Sequence, residues 1–287
     1  MLGFVTSSMG AAMLTAVALG VTCAILSVFV VLRRWAFIGE GISHSGFGGA
    51  GVAWMLAVLA PGIFGAEQTP WMVSTCVVLF CLGTAALIGY FSLHGEMNFD
   101  AVVGIFLVAS LAFGFTAQHV YMHMEGRQPW GFDSVFLGDL LRITPAYSLA
   151  ALGICAAVVL TVVALWKEIV NYCFDPLGAH VGGMRAGVVH FVLMLLVAVT
   201  IIIGMYVAGA LLVTALIVLP GATALLLGRQ MRGVMTLAII TGLIGTVGGT
   251  LIHEWLRFIP AGPAIALVLF VEFVVAYVAA RVLRLTA

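Results

Sequence analysis

The sequence predicts an all-α, polytopic integral membrane bundle of about nine spans (seven to nine) forming one domain over residues 1–287. Three observations carry this. Hydrophobic residues make up 64% of the chain. Charged residues make up 8%, where a soluble domain carries about 25%. The apolar residues also gather into runs of about the 20 residues that a helix needs to cross a bilayer. A soluble fold requires a polar skin that this composition cannot supply. Eleven basic residues balance eleven acidic ones. No basic patch exists for nucleic acid, and so apolar a chain is not disordered.

The runs are roughly 9–32, 38–62, 71–91, 100–118, 147–166, 187–207, 208–228, 233–252 and 261–282. The first ends at Arg33 and Arg34. The second is crowded with Gly46, Gly48, Gly49 and Gly51, small residues that let helices approach closely. The third, fourth and fifth are plain apolar runs. The sixth and seventh are separated only by Ala208-Gly209, so one of them is a candidate re-entrant or broken helix. Pro220 lies inside the seventh and removes an internal hydrogen bond, which predicts a kink or break. The eighth carries Gly245-xxx-Gly249, a small-xxx-small packing pattern. The ninth contains Glu272.

Loop charge sets the orientation. With the N-terminus outside and the C-terminus cytoplasmic, Arg33, Arg34, Lys167, Arg185, Arg229, Arg232, Arg281 and Arg284 lie inside. Arg127, Arg142 and Arg257 then lie outside. Two connections exceed a turn. Residues 119–146 form an outer loop in which 136–139 are a candidate short interfacial helix. Residues 167–186 form a cytoplasmic connection with Asp175 as N-cap and Pro176 at the first helical position. Such a short helix suits the docking of a soluble partner.

Charge within a membrane span costs about 2.5–3.5 kcal/mol on insertion scales, so each instance needs a reason. Glu40 and His44 stand four apart, on one helix face, with Ser43 beside them. A carboxylate and an imidazole at that spacing can reach one divalent cation. They can equally form a plain pair near the cytoplasmic interface. Glu272 is either a functional carboxylate or a protonated one bonded to a neighbouring helix. His119 and His123, with nearby Met122, Met124 and Glu125, are either a soft-metal cluster or a wetted helix end. His190 reads as structural, and His253-Glu254 as an exposed edge.

Cys23, Cys76, Cys81, Cys155 and Cys173 are odd in number and form no CxxC pair, so neither a disulfide framework nor a thiolate metal site is expected. The opening MLGFVTSSMG lacks the basic n-region of a cleavable signal. No Walker A pattern is present to cradle ATP phosphates, and no HExxH. Gly41-Ile42-Ser43-His44 superficially suggests an intramembrane serine protease, but adjacent Ser and His point to different sides of a helix.

Arg33-Arg34 followed by Gly39-Glu40-Gly41-Ile42-Ser43-His44 resembles a signature of the permease subunits of bacterial metal-ion ABC importers, which serve manganese, zinc and iron. That pattern has two basic residues, then Gly-Asp-x-x-Ser-His, then Leu-Pro-Gly. Phe174-Asp175-Pro176 with Ala179 and Gly183 resembles its ATPase-docking block. Residues 209–224, ending Pro220-Gly-Ala222-Thr223-Ala224, are similar to its Pro-x-Ala-Thr-Ala block. Pro260-Ala261-Gly262-Pro263 is similar to its last outer turn. Here Glu40 replaces the Asp, and Phe47-Gly48-Gly49 replaces Leu-Pro-Gly.

The resemblance implies that Glu40, His44 and Ser43 border a metal path. It implies partners as well: a cytoplasmic ATP-binding subunit, an extracytoplasmic metal-binding protein and a second permease subunit. The chain would sit in the bacterial cell membrane as a transport subunit, not an enzyme. No permanently bound cofactor is expected, the divalent metal being cargo. A hard oxygen with an imidazole nitrogen suits manganese, iron or zinc over Cu(I). The alternative is an ion-gradient-driven secondary transporter with broken helices.

Overall fold

The computed structural model describes residues 8–60, 70–95, 97–129, 145–175, 178, 184–256 and 258–285. Among them are ten helices and no strand. They are α1 (Ser8–Leu32), α2 (Ile38–Leu59), α3 (Pro70–His94), α4 (Phe99–Glu125), α5 (Pro145–Ala164), α6 (Trp166–Phe174), α7 (Ala186–Ala208), α8 (Ala210–Leu227), α9 (Met231–Trp255) and α10 (Ala261–Leu285). All but α6 are long and apolar enough to cross a membrane. The described chain is therefore a multi-pass membrane protein with nine candidate spans.

The helices pack as two groups. One holds α2 between α3 and α4. The other gathers α5, α8 and α9 around α1, with α10 against α8 and α9. The span α7 touches both groups, meeting α3 and α2 on one side and α8 and α1 on the other. Burial follows this plan: 67% of the span window is buried in α1 and α2, against 22% in α4 and α10. The exposed flanks of the peripheral helices carry Val108, Leu267, Val271 and Val275, which is the composition lipid requires.

Glycine sets the closest crossings. A Cβ on Gly49 would stand 2.6 Å from the Cα of Val77 in α3. One on Gly249 would strike the backbone of Ile265 in α10, and one on Gly245 the Leu269 side chain. The chain turns between α7 and α8 at Gly209, with φ 86° and ψ 158°, a region essentially reserved for glycine. Gly204 then faces Val213, so the two helices fold back on each other as separate spans. The interruption thus falls at Gly209 and not at Pro220, where α8 continues without a break. Neighbouring turns of the helix and buried packing around Pro220 carry it through the missing bond. The helix α2 also runs unbroken through Phe47-Gly48-Gly49.

One expectation about connections changes and another is extended. The α4 helix continues to Glu125, so His119 and His123 lie on its last turns and not in a loop. The apolar run ended at 118, but helix geometry tolerates polar side chains once the span is complete. The interfacial helix expected at 136–139 lies outside the described residues. In the 167–186 connection a further helix, α6, precedes the expected start at Asp175-Pro176 and ends at Phe174, and Gly178 beyond it is helical. Asp175 closes it, and its Oδ1 accepts the Gly178 N–H at 2.8 Å, the bond an N-cap makes.

Candidate metal path and docking segment

The first turn of α2 presents Glu40, an acidic residue where the helix dipole favours one. One turn on, His44 Nε2 meets Glu40 Oε2 at 2.9 Å. The His44 and Glu40 side chains are 26% and 41% exposed, partly open and not sealed in the core. Oxygen and nitrogen ligands sit about 2.0–2.2 Å from a first-row divalent ion. Adjacent ligands on one such ion are therefore about 3 Å apart, which is the separation this pair already has. A cation displacing the shared proton would need little rearrangement of either side chain.

The pair faces α8. Gly39 lies against Thr214 and Ile217, with a would-be Cβ 3.0 Å from Thr214 Cγ2. Thr214 stands near the Glu40 carboxylate, while its hydroxyl donates to Leu211 O of its own helix at 3.0 Å. On the neighbouring side Gly41 lies against Val103 of α4. Sequence reasoning missed Thr214, since nothing in the spacing of α8 shows which of its residues meets α2. Ser43 takes a different position from its neighbours. It is buried, and its Oγ donates to Gly39 O at 2.6 Å and lies 3.3 Å from Glu40 O. Its hydroxyl is engaged with the α2 backbone and not with the Glu40–His44 pair.

Among the described residues no group of three or more His, Cys, Asp or Glu could hold a metal. Two strong ligands and a hydroxyl suit a passing ion better than a resident one. His119 Nδ1 contacts Phe115 O at 2.9 Å on the exposed face of α4. Neither His119 nor His123 joins a metal-binding group among the described residues. Glu272 lies in α10 with both carboxylate oxygens buried and no hydrogen-bond partner among the described residues. The neighbouring-helix bond, one of the two readings of Glu272 from the sequence, is not made among the described residues.

Of the residues that resemble a docking block, Phe174, the last residue of α6, and Asp175 after it are exposed, Phe174 at 63%. Pro176, Ala179 and Gly183 lie outside the described residues. The inner face of α6 buries Ile169 and Tyr172, one turn apart.

A sequence profile of the ABC 3 transport family matches residues 6–280. The chain belongs to the ABC 3 transport family. It is accordingly a membrane transport subunit. The chelated iron transport system membrane protein YfeD of Yersinia pestis is 30% identical over 267 residues, covering 93% of this chain and 84% of the relative. The manganese transport system membrane protein MntC of Halalkalibacterium halodurans is 28% identical over 268 residues, covering 93% and 85%. Among solved structures, PsaBC from Streptococcus pneumoniae in complex with Fab superposes with a TM-score of 0.75 at 22% identity, covering 94% of this chain and 91% of that one. That likeness establishes the fold of this ABC 3 family member.

Proposed function

We propose that this protein is the permease subunit of an ATP-binding-cassette importer that carries a divalent transition metal, manganese, zinc or iron, into the bacterial cytoplasm. The Glu40–His44 pair carries the reading: an oxygen and a nitrogen ligand 2.9 Å apart, backed by Thr214, on a helix that enters the bundle. The relatives named for manganese and for chelated iron support the cargo class. The N-terminus lies outside and the C-terminus in the cytoplasm. An extracytoplasmic binding protein delivers the ion. Two permease subunits enclose the path, and a separate ATP-binding subunit docks on Phe174, Asp175 and the residues that follow. ATP binding and hydrolysis there drive alternating access.

Within this scheme the ion passes Glu40 and His44 by transient ligation. A site that completed four ligands would hold the ion too tightly to release it. Metal analysis of a deletion strain by mass spectrometry tests the proposal. Depletion of one of the three metals, restored by the wild-type gene, is expected. Unchanged content of all three would overturn it.

A further inference from the structure

A second polar constellation lies away from the metal pair, at the end of the bundle where α6 meets the membrane helices. Arg33 Nη2 donates to the Tyr172 hydroxyl at 2.9 Å. The Tyr172 hydroxyl is 2.7 Å from His190 Nδ1. His190 Nε2 is 3.1 Å from Ser92 Oγ, which donates to Gly89 O at 3.0 Å. The chain joins the turn after α1, the short helix α6, the first turns of α7 and the last turns of α3. Tyr172 and His190 are each 2% exposed.

One assignment of protons satisfies every bond. Arginine only donates, so the Tyr172 oxygen accepts. The single phenolic proton then goes to Nδ1, which makes His190 the Nε2–H tautomer. That proton goes to Ser92, whose own proton goes to Gly89 O. A protonated His190 would leave the Tyr172 proton without an acceptor among the described residues. Aromatic contacts lock the geometry. The Arg33 guanidinium lies 4.3 Å over the Tyr172 ring, Trp35 packs edge-on to His190, and Trp35 stacks on Phe99 of α4 at 5.0 Å. Arg34 holds φ at 59°, the left-handed turn that sends Arg33 and Trp35 to this cluster. Arg33 Nε has no hydrogen-bond partner among the described residues, an unused donor available to a second arrangement.

The placement gives the chain its meaning. Tyr172 lies two and three residues before Phe174 and Asp175. At the other end Trp35 lies five residues before Glu40. Of the two buried residues of α6, Ile169 makes only apolar contacts, which do not fix an orientation. Tyr172 makes directional ones, and the movement of α6 must pass through them. We infer that Tyr172 is a positioning residue that, through Arg33, His190 and Ser92, transmits movement of the ATPase-docking segment to the helices bordering the metal path.

This rests on the proposed function, and the experiment separates the two. The permease and ATP-binding subunit are reconstituted in liposomes with the binding protein carrying the metal it purifies with. Metal transported and ATP hydrolysed are both measured. A wild-type protein that recruits no ATPase would remove the importer reading itself. Given wild-type coupling, Tyr172→Phe, which keeps the ring beneath Arg33, should lower the metal-to-ATP ratio about fivefold, the change expected when one hydrogen bond is lost. Ser92→Ala at the far end should lower it in the same direction, with the thermal midpoint and subunit stoichiometry unchanged. A wild-type ratio in Ser92→Ala and Tyr172→Phe, or a fall that only tracks loss of folded complex, would overturn the inference.

Discussion

A carboxylate and an imidazole 2.9 Å apart are held together by a proton that a divalent ion can replace. Removing either ligand should therefore remove uptake while leaving the helix intact. Glu40→Ala and His44→Ala are each expected to abolish metal-dependent growth at wild-type membrane abundance, read by growth on depleted medium and by immunoblot. Normal growth in both would end the assignment. The pair was legible in the sequence because i, i+4 spacing on a helix is a local property. Thr214 was not, because its meeting with Glu40 depends on how α8 crosses α2. Ser43 stands beside the pair in sequence, and which way its hydroxyl turns, here to Gly39 O, is likewise set by the folded helix. Glu272 gives the opposite test. Its two oxygens are buried and unbonded among the described residues, and leaving such groups unsatisfied costs about 1–3 kcal/mol. Glu272→Leu should thus raise the thermal midpoint in detergent. A lowered midpoint would reveal a partner that the charge satisfies in the assembled transporter.

The short helix α6 is the element that the hydropathy pattern read least well. Its nine residues are half polar and follow α5 with only Leu165 between, so they blend into a connection. What orders α6 is its contact with α1, α5 and α7, which no local signal encodes. Burial pushes the Cys173 thiol up to about 12, against the pull of Arg33. Near pH 7.5 its thiolate is therefore scarce, and the thiolate is the reactive form. In a variant keeping only Cys173, maleimide labelling should be far slower than that of a free thiol and should accelerate as pH rises. Fast labelling at neutral pH would mean that α6 leaves its seat. Asp175→Lys, which reverses charge at the docking edge and removes the acceptor for Gly178 N–H, should release the ATP-binding subunit during copurification. Gly49 tests an element crossing instead. A side chain there meets the backbone of α3, and backbone cannot step aside as a flexible side chain would. Gly49→Val should lower membrane abundance through overpacking, a cost of about 1–3 kcal/mol.

At the scale of the molecule, nine apolar runs foreshadowed the nine candidate spans among the described residues because lipid demands length and apolarity from each helix separately. The arrangement of the spans, two groups bridged by α7, was not legible, since it depends on which small residues meet which neighbours. The energy source is also a property of the whole assembly. Uptake into cells should stop when ATP is depleted and persist when the ion gradient is collapsed. The reverse result would favour a gradient-driven carrier. Gly209 has one more consequence, for how the protein is made. No Asp, Glu, Lys or Arg occurs from residue 186 to 228, and the torsions of one glycine provide the whole turn inside that stretch. The orienting charges, Arg185 and Arg229, stand at the two outer ends of the pair, so α7 and α8 are expected to be oriented as one hairpin turned at Gly209.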